Sequence, residues 1–392
     1  MQQDFVRPRE ATHQPCGQNE EGKSSLSKVL KWSGLLAIQI GATIGAGIFV
    51  LIGLAIVGDH NKQTGAGPST VLSVLLAGVL CIPIAICYGH LASRIPKAGG
   101  AYSYTRKAFG EFPGWMIGWT AYMPIGMAVI ALGCVKYGLY GLKQLYPDKD
   151  LAIGAIPPNQ IAVVIVVICT IIAALPVKDV KLISAGLALV RLAVILLFLA
   201  LAFPNFDEHN WSPTGTNFYI GVLPTAAFLM YAFAGFEMPA NMAEESENPK
   251  DDMLKTILVG LAICTISYFV LVAALTRAVP TLNIARYATI SSALATMGYG
   301  VKVQTVLNIL IFGILVSVLI SFLLQQSRIL WAMSSEDFIP VVSKIHARSN
   351  TPYVATLVTG AIVAFVTYHT DPGDEALRHN ADVFTLAILV TY

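Results

Sequence analysis

The stretch GATIGAGIFV, residues 41–50, decides the fold of this chain. It lies inside an apolar segment long enough to cross a membrane, yet it holds three glycines, Gly41, Gly45 and Gly47. Each glycine in a helix interior costs about 1 kcal/mol relative to alanine. We therefore interpret the stretch as the point where a membrane-spanning helix unwinds.

Composition places the chain in a membrane. Of the 392 residues, 55% are hydrophobic and only 12% are charged, and the mean hydropathy is +0.67. Soluble globular chains carry roughly 25% charged residues. Half that charge leaves too little polar surface for a folded chain of this length in water, so the sequence predicts an all-α integral membrane protein with many spans.

Apolar stretches define the expected spans, because a helix needs roughly 20 mostly apolar residues to cross a bilayer. A tenth stretch begins near Val383 and stops at Tyr392, which predicts a last span that is cut short. The nine full stretches, numbered here as spans 1 to 9, are approximately 33–57, 68–92, 112–137, 158–176, 182–203, 216–240, 254–276, 303–332 and 353–369.

Basic residues predict the orientation. With the amino terminus inside, 16 of the 25 lysines and arginines fall on the inner side and 7 on the outer side. Positive charge concentrates in cytoplasmic loops, so we expect a cytoplasmic amino terminus in a plasma (inner) membrane. Residues 1–31 are polar and lack the apolar core of a signal peptide, which predicts a flexible cytoplasmic tail before a transporter domain over 32–392.

Span 6 repeats the feature of span 1. Its sequence AFAGFE, residues 232–237, places Gly235 and Glu237 within an apolar segment. The two interrupted spans begin two sets of five, 32–203 and 216–392. Interrupted segments at corresponding places in two halves point to a transporter's binding site. The sequence therefore predicts two five-span repeats, the second incomplete, with a site between spans 1 and 6.

The glycines of span 1 offer one pole of a ligand site. Unwinding frees backbone N–H and C=O groups, which are costly in lipid unless protein or a ligand pairs them. The N–H groups of Gly45, Ala46 and Gly47 open the outer half of the span, where a helix N-terminus favours a carboxylate. The competing interpretation is close packing of helices, because Gly41 and Gly45 form a GxxxG pair.

Backbone carbonyls offer the other pole. Those around Thr43 and Ile44 in span 1, and those from Tyr231 to Ala234 in span 6, are placed to accept hydrogen bonds from an ammonium group. A carboxylate pole beside an ammonium pole predicts an α-amino acid as the ligand.

Three further side chains invite a functional reading. An acid inside a span marks an ion or substrate path, although Glu237 also fits a structural carboxylate held by unwound backbone donors. Arg191 lies near the middle of span 5 with no acid in its own segment, so snorkelling explains it poorly. Phe233, beside the break in span 6, is either a lid over the substrate or a packing residue.

Other chemistry leaves no signature in the sequence. There is no P-loop, HExxH, GxSxG, nucleophile–base set or basic aromatic patch. We therefore predict no enzyme activity, no metal, no cofactor and no nucleic-acid partner. A channel is disfavoured because no pore ring repeats. The expected partners are a small amino acid substrate and membrane lipid.

Several long motifs, in order, resemble the amino acid–polyamine–organocation (APC) superfamily and its amino acid permeases, including the cationic amino acid transporter-like branch. The likeness runs from about residue 30 to the end. It is carried by GATIGAGIFV in span 1, the block over 66–119, AFAGFE with AEESENP in and after span 6, and SRILWAMSSEDFIP after span 8.

The resemblance implies a LeuT-like fold, a bundle of five-plus-five inverted repeats with spans 1 and 6 broken. It also implies a role for each site residue. The implied roles are carboxylate binding at Gly45, Ala46 and Gly47, ammonium binding near Thr43, Tyr231 and Ala234, an aromatic gate at Phe233, and an acid beside the site at Glu237.

The same resemblance places Arg191 where many sodium-independent members carry a lysine in the position of a sodium ion. Ser317 and Ser321 of span 8 are the candidate neighbours of that position. Arginine keeps its proton in a normal cycle, so any coupling proton is expected at Glu237. Family members usually have a glutamate where this chain has His90.

Together these observations predict a secondary active amino acid permease that works by alternating access without sodium. Proton coupling and exchange both stay open, as does the identity of the amino acid. The alternative is a truncated chain that does not transport, or an amino acid sensor.

Overall fold

The computed structural model describes residues 26, 28–58, 65–146, 156–175, 177–210, 218–280, 290–334, 342 and 351–392. Within these ranges, seven helical segments are long and apolar enough to cross a membrane, and two shorter apolar helices, Pro158–Ala173 and Tyr353–His369, accompany them. The protein is a multi-pass helical membrane protein, as its composition predicts.

The helices follow the predicted spans in order. Span 1 is interrupted at Gly45 and again after Phe49, and span 6 is interrupted around Gly235. Span 1 comprises Trp32–Thr43, Ala46–Phe49 and Ile52–Val57; span 2 Thr70–Arg94; span 3 Glu111–Ala121 and Pro124–Leu145; span 4 Pro158–Ala173; span 5 Val177–Ala202; span 6 Phe218–Val222, Leu223–Phe233 and Met238–Asn241; span 7 Pro249–Ala278; span 8 Val301–Met333; span 9 Tyr353–His369; and span 10 Asp374–Thr391.

Span 3 has a break that the sequence analysis did not anticipate. Its first helix ends at Ala121 and its second begins at Pro124. Proline lacks the N–H that would continue the hydrogen-bond ladder and is favoured in the first turn of a helix. The loop before it also folds, since Ala101–Phe109 forms a helix that buries Tyr102 and Tyr104.

Packing between spans shows the two-fold relation of the halves. Span 2 packs along span 7, span 3 along span 8, and span 4 along span 9. Span 5 packs on span 1, and span 10 packs on span 6 in the same way. Each span of the first half thus meets either its counterpart or the neighbour that an inverted repeat requires.

Span 10 begins earlier than the hydropathy pattern indicated. Its helix runs over Asp374–Thr391, whereas the sequence placed its start near Val383. The first turns carry Asp374, Glu375 and Arg378, which an apolarity criterion rejects. Acidic residues are nevertheless favourable at a helix N-terminus, so the helix begins in the charged part and becomes apolar towards its end.

The described end of the predicted tail is packed on the bundle. Leu30 is fully buried and forms an isolated parallel bridge with Ser246. The N–H groups of Val29 and Leu30 both donate to the carbonyl of Glu245, each at 3.0 Å. The flexible tail predicted over 1–31 therefore does not extend through its last residues, and residues 1–25 and 27 lie outside the described part of the chain.

Candidate functional site

The break in span 1 joins three helical pieces. The first helix ends at Thr43, Ile44 is extended (φ −77°, ψ 94°), and the next helix begins at Ala46. A side chain at Gly45 would place its Cβ 2.7 Å from Cγ2 of Val318 in span 8. The sequence unwinds here because glycine lets the backbone approach the neighbouring span more closely than any other residue.

The break in span 6 faces the break in span 1. The helix stops at Phe233, and Gly235 has φ of 101°, a left-handed conformation that glycine adopts without a steric penalty. A Cβ at Gly235 would lie 2.9 Å from the Cβ of Ala42. One at Gly47 would lie 2.2 Å from Cα of Ala232. The two interrupted spans are therefore in backbone contact.

A cavity lies at this junction and is called the central cavity here. Five residues named from the sequence line it, and the other lining residues come from spans 1, 3, 8 and 10. Ile44, Gly45 and Gly235 shape the breaks without lining the cavity. The lining residues are Ala42, Thr43, Ala46, Gly47, Gly126, Ile130, Tyr231, Ala234, Val318, Phe322 and Phe384.

The predicted carboxylate pole contains backbone N–H groups that donate no backbone hydrogen bond within the described chain. Among the described residues, the N–H groups of Gly45, Ala46 and Gly47 donate no backbone hydrogen bond, whereas the carbonyl of Gly45 accepts from Ile48 and Phe49. The helix that follows is only four residues long. The attraction for an anion therefore comes from these N–H groups themselves rather than from the summed dipole of a long helix.

The predicted ammonium pole is partly occupied by a tyrosine of span 7. The Tyr268 hydroxyl lies 2.5 Å from the carbonyl oxygen of Thr43 and 2.7 Å from that of Ala232. Sequence reasoning missed this cross-tie between the two breaks. A carbonyl oxygen accepts two hydrogen bonds, so the Thr43 carbonyl keeps capacity for a second donor.

Phe233 lies away from the central cavity. Its side chain is fully buried and its ring meets the ring of Tyr268 edge-to-face, with centroids 5.2 Å apart. The aromatic rings that do line the cavity belong to Tyr231, Phe322 and Phe384. Phe384 stands between the other two, at 5.1 Å from Tyr231 and 6.5 Å from Phe322. The lid role of Phe233 stays a prediction.

Glu237 is buried just below the break in span 6. Its carboxylate accepts hydrogen bonds from the N–H of Gly235 at 3.0 Å, from Nε2 of Gln325 at 2.8 Å and from the hydroxyl of Tyr392 at 3.0 Å. Three donors converge on it from spans 6, 8 and 10. This arrangement fits the structural carboxylate that the sequence left as an alternative, and a role in coupling stays a prediction.

Arg191 reaches from span 5 to spans 1 and 8. The side chain is fully buried and donates a hydrogen bond to Oγ of Ser317. A Cβ at Gly41 would lie 3.5 Å from its Nη1 and 3.6 Å from Oγ of Ser321. Span 1 is therefore in van der Waals reach of the guanidinium at Gly41, and the structure brings together the three residues grouped from the sequence.

The family model for amino acid permeases matches residues 30–392. The chain belongs to this family. The match begins at the residue that bridges to Ser246 and includes both broken spans, so the entire described bundle lies within the permease domain.

Relatives of this permease carry names with different solutes. They include branched-chain amino acid permease BcaP and methylthioribose transporter, both of Bacillus subtilis (strain 168), and cationic amino acid transporter 3, mitochondrial, of Arabidopsis thaliana. Each is 31% identical to the permease, and the three alignments cover 88%, 93% and 88% of the permease, respectively. The chain spans 75%, 79% and 58% of these relatives.

The fold of the permease is also that of a solved transporter. The crystal structure of MhsT in complex with L-phenylalanine superposes with a TM-score of 0.66, covering 91% of the permease and 87% of MhsT at 15% identity. At that identity the likeness concerns the fold alone. It confirms the LeuT-like bundle that the family resemblance implied.

The permease residues that sequence reasoning missed lie on unbroken or distant helices. Gly126, Ile130, Val318, Phe322 and Phe384 are small or apolar residues in apolar segments. No local pattern distinguishes them from lipid-facing or core residues, since only the packing of spans 3, 8 and 10 against the breaks brings them together.

Proposed function

We propose that this permease is a secondary active amino acid transporter that works by alternating access and does not require sodium. The observation that carries the proposal is the central cavity, whose wall includes the breaks of both span 1 and span 6. Main-chain groups exposed at mid-membrane depth serve a ligand or a polar lining, because lipid cannot satisfy them.

The substrate is held by its α-carboxylate and α-ammonium groups. The N–H groups of Gly45, Ala46 and Gly47 receive the carboxylate. The ammonium group donates to the carbonyls near Thr43, Tyr231 and Ala234. Amino acid transport agrees with the family to which the chain belongs. The named solutes of the relatives differ, so the side chain of the substrate depends on the wall that spans 3, 8 and 10 supply.

The contacts between spans group them into two bodies. Spans 1 and 6 are in backbone contact, and Tyr268 ties both of them to span 7, on which span 2 packs. Span 3 packs along span 8, and span 4 along span 9. We infer that spans 1, 2, 6 and 7 rock as one body against spans 3, 4, 8 and 9 around the cavity. Each of these bodies takes two spans from each of the two proposed repeats, 32–203 and 216–392.

Sodium independence rests on Arg191. A permanent cation between the inner part of span 1 and span 8 takes the place of a bound metal cation. The excess of basic residues on the inner side supports a cytoplasmic amino terminus in a plasma (inner) membrane. Coupling to protons through Glu237, or exchange of one amino acid for another, completes the cycle.

Reconstitution into liposomes tests the proposal. Thermal shifts of the purified protein with each of the twenty amino acids identify the ligand, and uptake of that ligand, labelled, into liposomes measures transport. Saturable uptake that is accelerated by unlabelled amino acid inside supports alternating access. Binding without uptake supports a sensor or another non-transporting protein, and a flux that rises linearly with concentration supports a channel.

A further inference from the structure

A second cavity lies towards the inner ends of spans 2, 6, 8 and 10 and is called the inner cavity here. Phe322 and Phe384 line both cavities, so this ring pair forms the boundary between them. The lining residues of the inner cavity are Tyr88, Ala101, Ala121, Glu237, Asn241, Phe322, Gln325, Gln326, Ile329, Phe384, Ile388, Thr391 and Tyr392.

The charged groups that line the inner cavity are of negative sign only, among the described residues. Glu237 contributes a carboxylate, and none of the described lining residues is a lysine, arginine or histidine. The central cavity above it has no charged side chain among its described lining residues. A ligand that occupies both cavities therefore meets neutral walls first and a single negative charge beyond the aromatic pair.

Two glutamines of span 8 add acceptor atoms without a partner. Nε2 of Gln325 donates to Glu237 at 2.8 Å, and Nε2 of Gln326 donates to the carbonyl of Ala121 at 3.3 Å. These acceptors fix both amides, because a flip would set oxygen against oxygen. Oε1 of each glutamine is buried and has no hydrogen-bond partner among the described residues. An unpaired buried acceptor is costly, so the pair indicates a donor that binds here.

We propose that the inner cavity is a side-chain subsite for a positively charged group with several N–H donors, the ammonium or guanidinium end of an amino acid. The subsite rests on the proposed amino acid site, because the central cavity holds the carboxylate and the α-ammonium group. The side chain passes Phe322 and Phe384, whose ring faces attract a cation, and its donors reach the acceptors of span 8 beside Glu237.

Lysine and norleucine make a pair of probes with the same carbon chain, since lysine is norleucine with an ammonium group in place of one hydrogen on its terminal carbon. We expect lysine to stabilise the purified parent protein at a concentration at least about tenfold lower than norleucine, as one charge-assisted hydrogen bond provides. Methylammonium alone tests the other source of the same chemistry, a free amine.

Gln326→Met removes one acceptor and keeps the side-chain length and the contacts of Glu237. Gln39→Met is the matched control, because Gln39 is equally buried, donates through Nε2 to the carbonyl of Ile257 at 3.0 Å and also has an unpaired Oε1, yet lies outside both cavities. We expect Gln326→Met to weaken lysine binding roughly ten- to hundredfold. Norleucine binding stays within about twofold in both variants.

Each other outcome overturns a specific step. A parent protein that binds norleucine as tightly as lysine removes the subsite and leaves the amino acid site intact. A parent that binds other amino acids but neither of these two also removes the subsite, whereas a parent that binds none of the twenty amino acids removes the amino acid site itself. An equal loss of lysine binding in Gln39→Met assigns the effect to span packing. Stabilisation by methylammonium that Gln326→Met abolishes assigns the cavity to a free cation instead of a side chain.

Discussion

Replacing Arg191 tests whether its positive charge takes the place of a bound sodium ion. The guanidinium is among the largest fully buried side chains of the described chain, and it joins span 5 to Ser317 of span 8 beside Gly41 of span 1. Its Nε and Nη1 have no hydrogen-bond partner among the described residues. The side chain therefore contributes both volume and charge at the place where the inner part of span 1 meets span 8.

Three replacements divide these contributions. Arg191→Ala removes the charge and leaves a hole, and large-to-small changes in a core cost about 2–5 kcal/mol. Arg191→Met keeps most of the volume and removes only the charge and the hydrogen bond, which is worth about 1.5–3 kcal/mol for a charged donor. That range corresponds to roughly a ten- to hundredfold loss of uptake if the bond is needed in the cycle. Arg191→Lys keeps the charge without the planar fork.

The assay is initial uptake into liposomes with external sodium or with choline in its place. We expect equal uptake by the parent in both salts, partial activity for Arg191→Lys, a loss of at least tenfold for Arg191→Met and collapse for Arg191→Ala. Thermal unfolding of each variant separates lost function from lost stability. Strong stimulation of the parent by sodium, or full activity of Arg191→Ala, refutes the account.

Three other changes test the site and its inner end. Gly47→Leu should abolish amino acid binding in a protein that still inserts, because its side chain has no room beside Ala232; unchanged affinity in a binding titration places the site elsewhere. Glu237→Gln should reduce uptake and flatten the dependence of uptake on pH between about 5 and 8, because a glutamine amide cannot bind and release a proton as a carboxyl group does; parallel curves in the two proteins exclude Glu237 from coupling. Breaking the buried 2.7 Å pair of Arg328 and Glu245 should cost about 3–5 kcal/mol in either single variant; a double-mutant cycle of thermal unfolding with no coupling energy contradicts this.

The breaks in the two central spans were predictable because their cause is local. Glycine weakens a helix wherever it stands, and Gly45 and Gly235 coincide with observed interruptions, whereas Gly47 lies just inside the helix Ala46–Phe49. The spans also follow from residue content alone, since apolar length decides which helices cross a bilayer. These features need no knowledge of which helix packs on which.

The rest of the site depends on contacts between distant segments. Tyr268 lies in an apolar helix and gives no sign in the sequence that it bonds to the carbonyls of both breaks. Phe384 and Gln325 gain their meaning only when spans 10 and 8 close around span 6. The start of span 10 was missed for another reason, because a helix tolerates charged residues at its N-terminus that a hydropathy criterion excludes.

Packing and binding, which were alternatives for the glycines in the sequence, are two consequences of one geometry. With no side chain at Gly47, its backbone approaches Ala232 so closely that a Cβ would clash at 2.2 Å. Ala46 and Gly47 also line the central cavity, and their N–H groups donate no backbone hydrogen bond within the described chain. A small replacement therefore separates the two roles less well than a change on the opposite wall. Enlarging Gly126, which lines the cavity from span 3, disturbs the ring of Phe384 and leaves the contact between spans 1 and 6 in place. A loss of binding there, with the melting temperature retained, belongs to the ligand site alone.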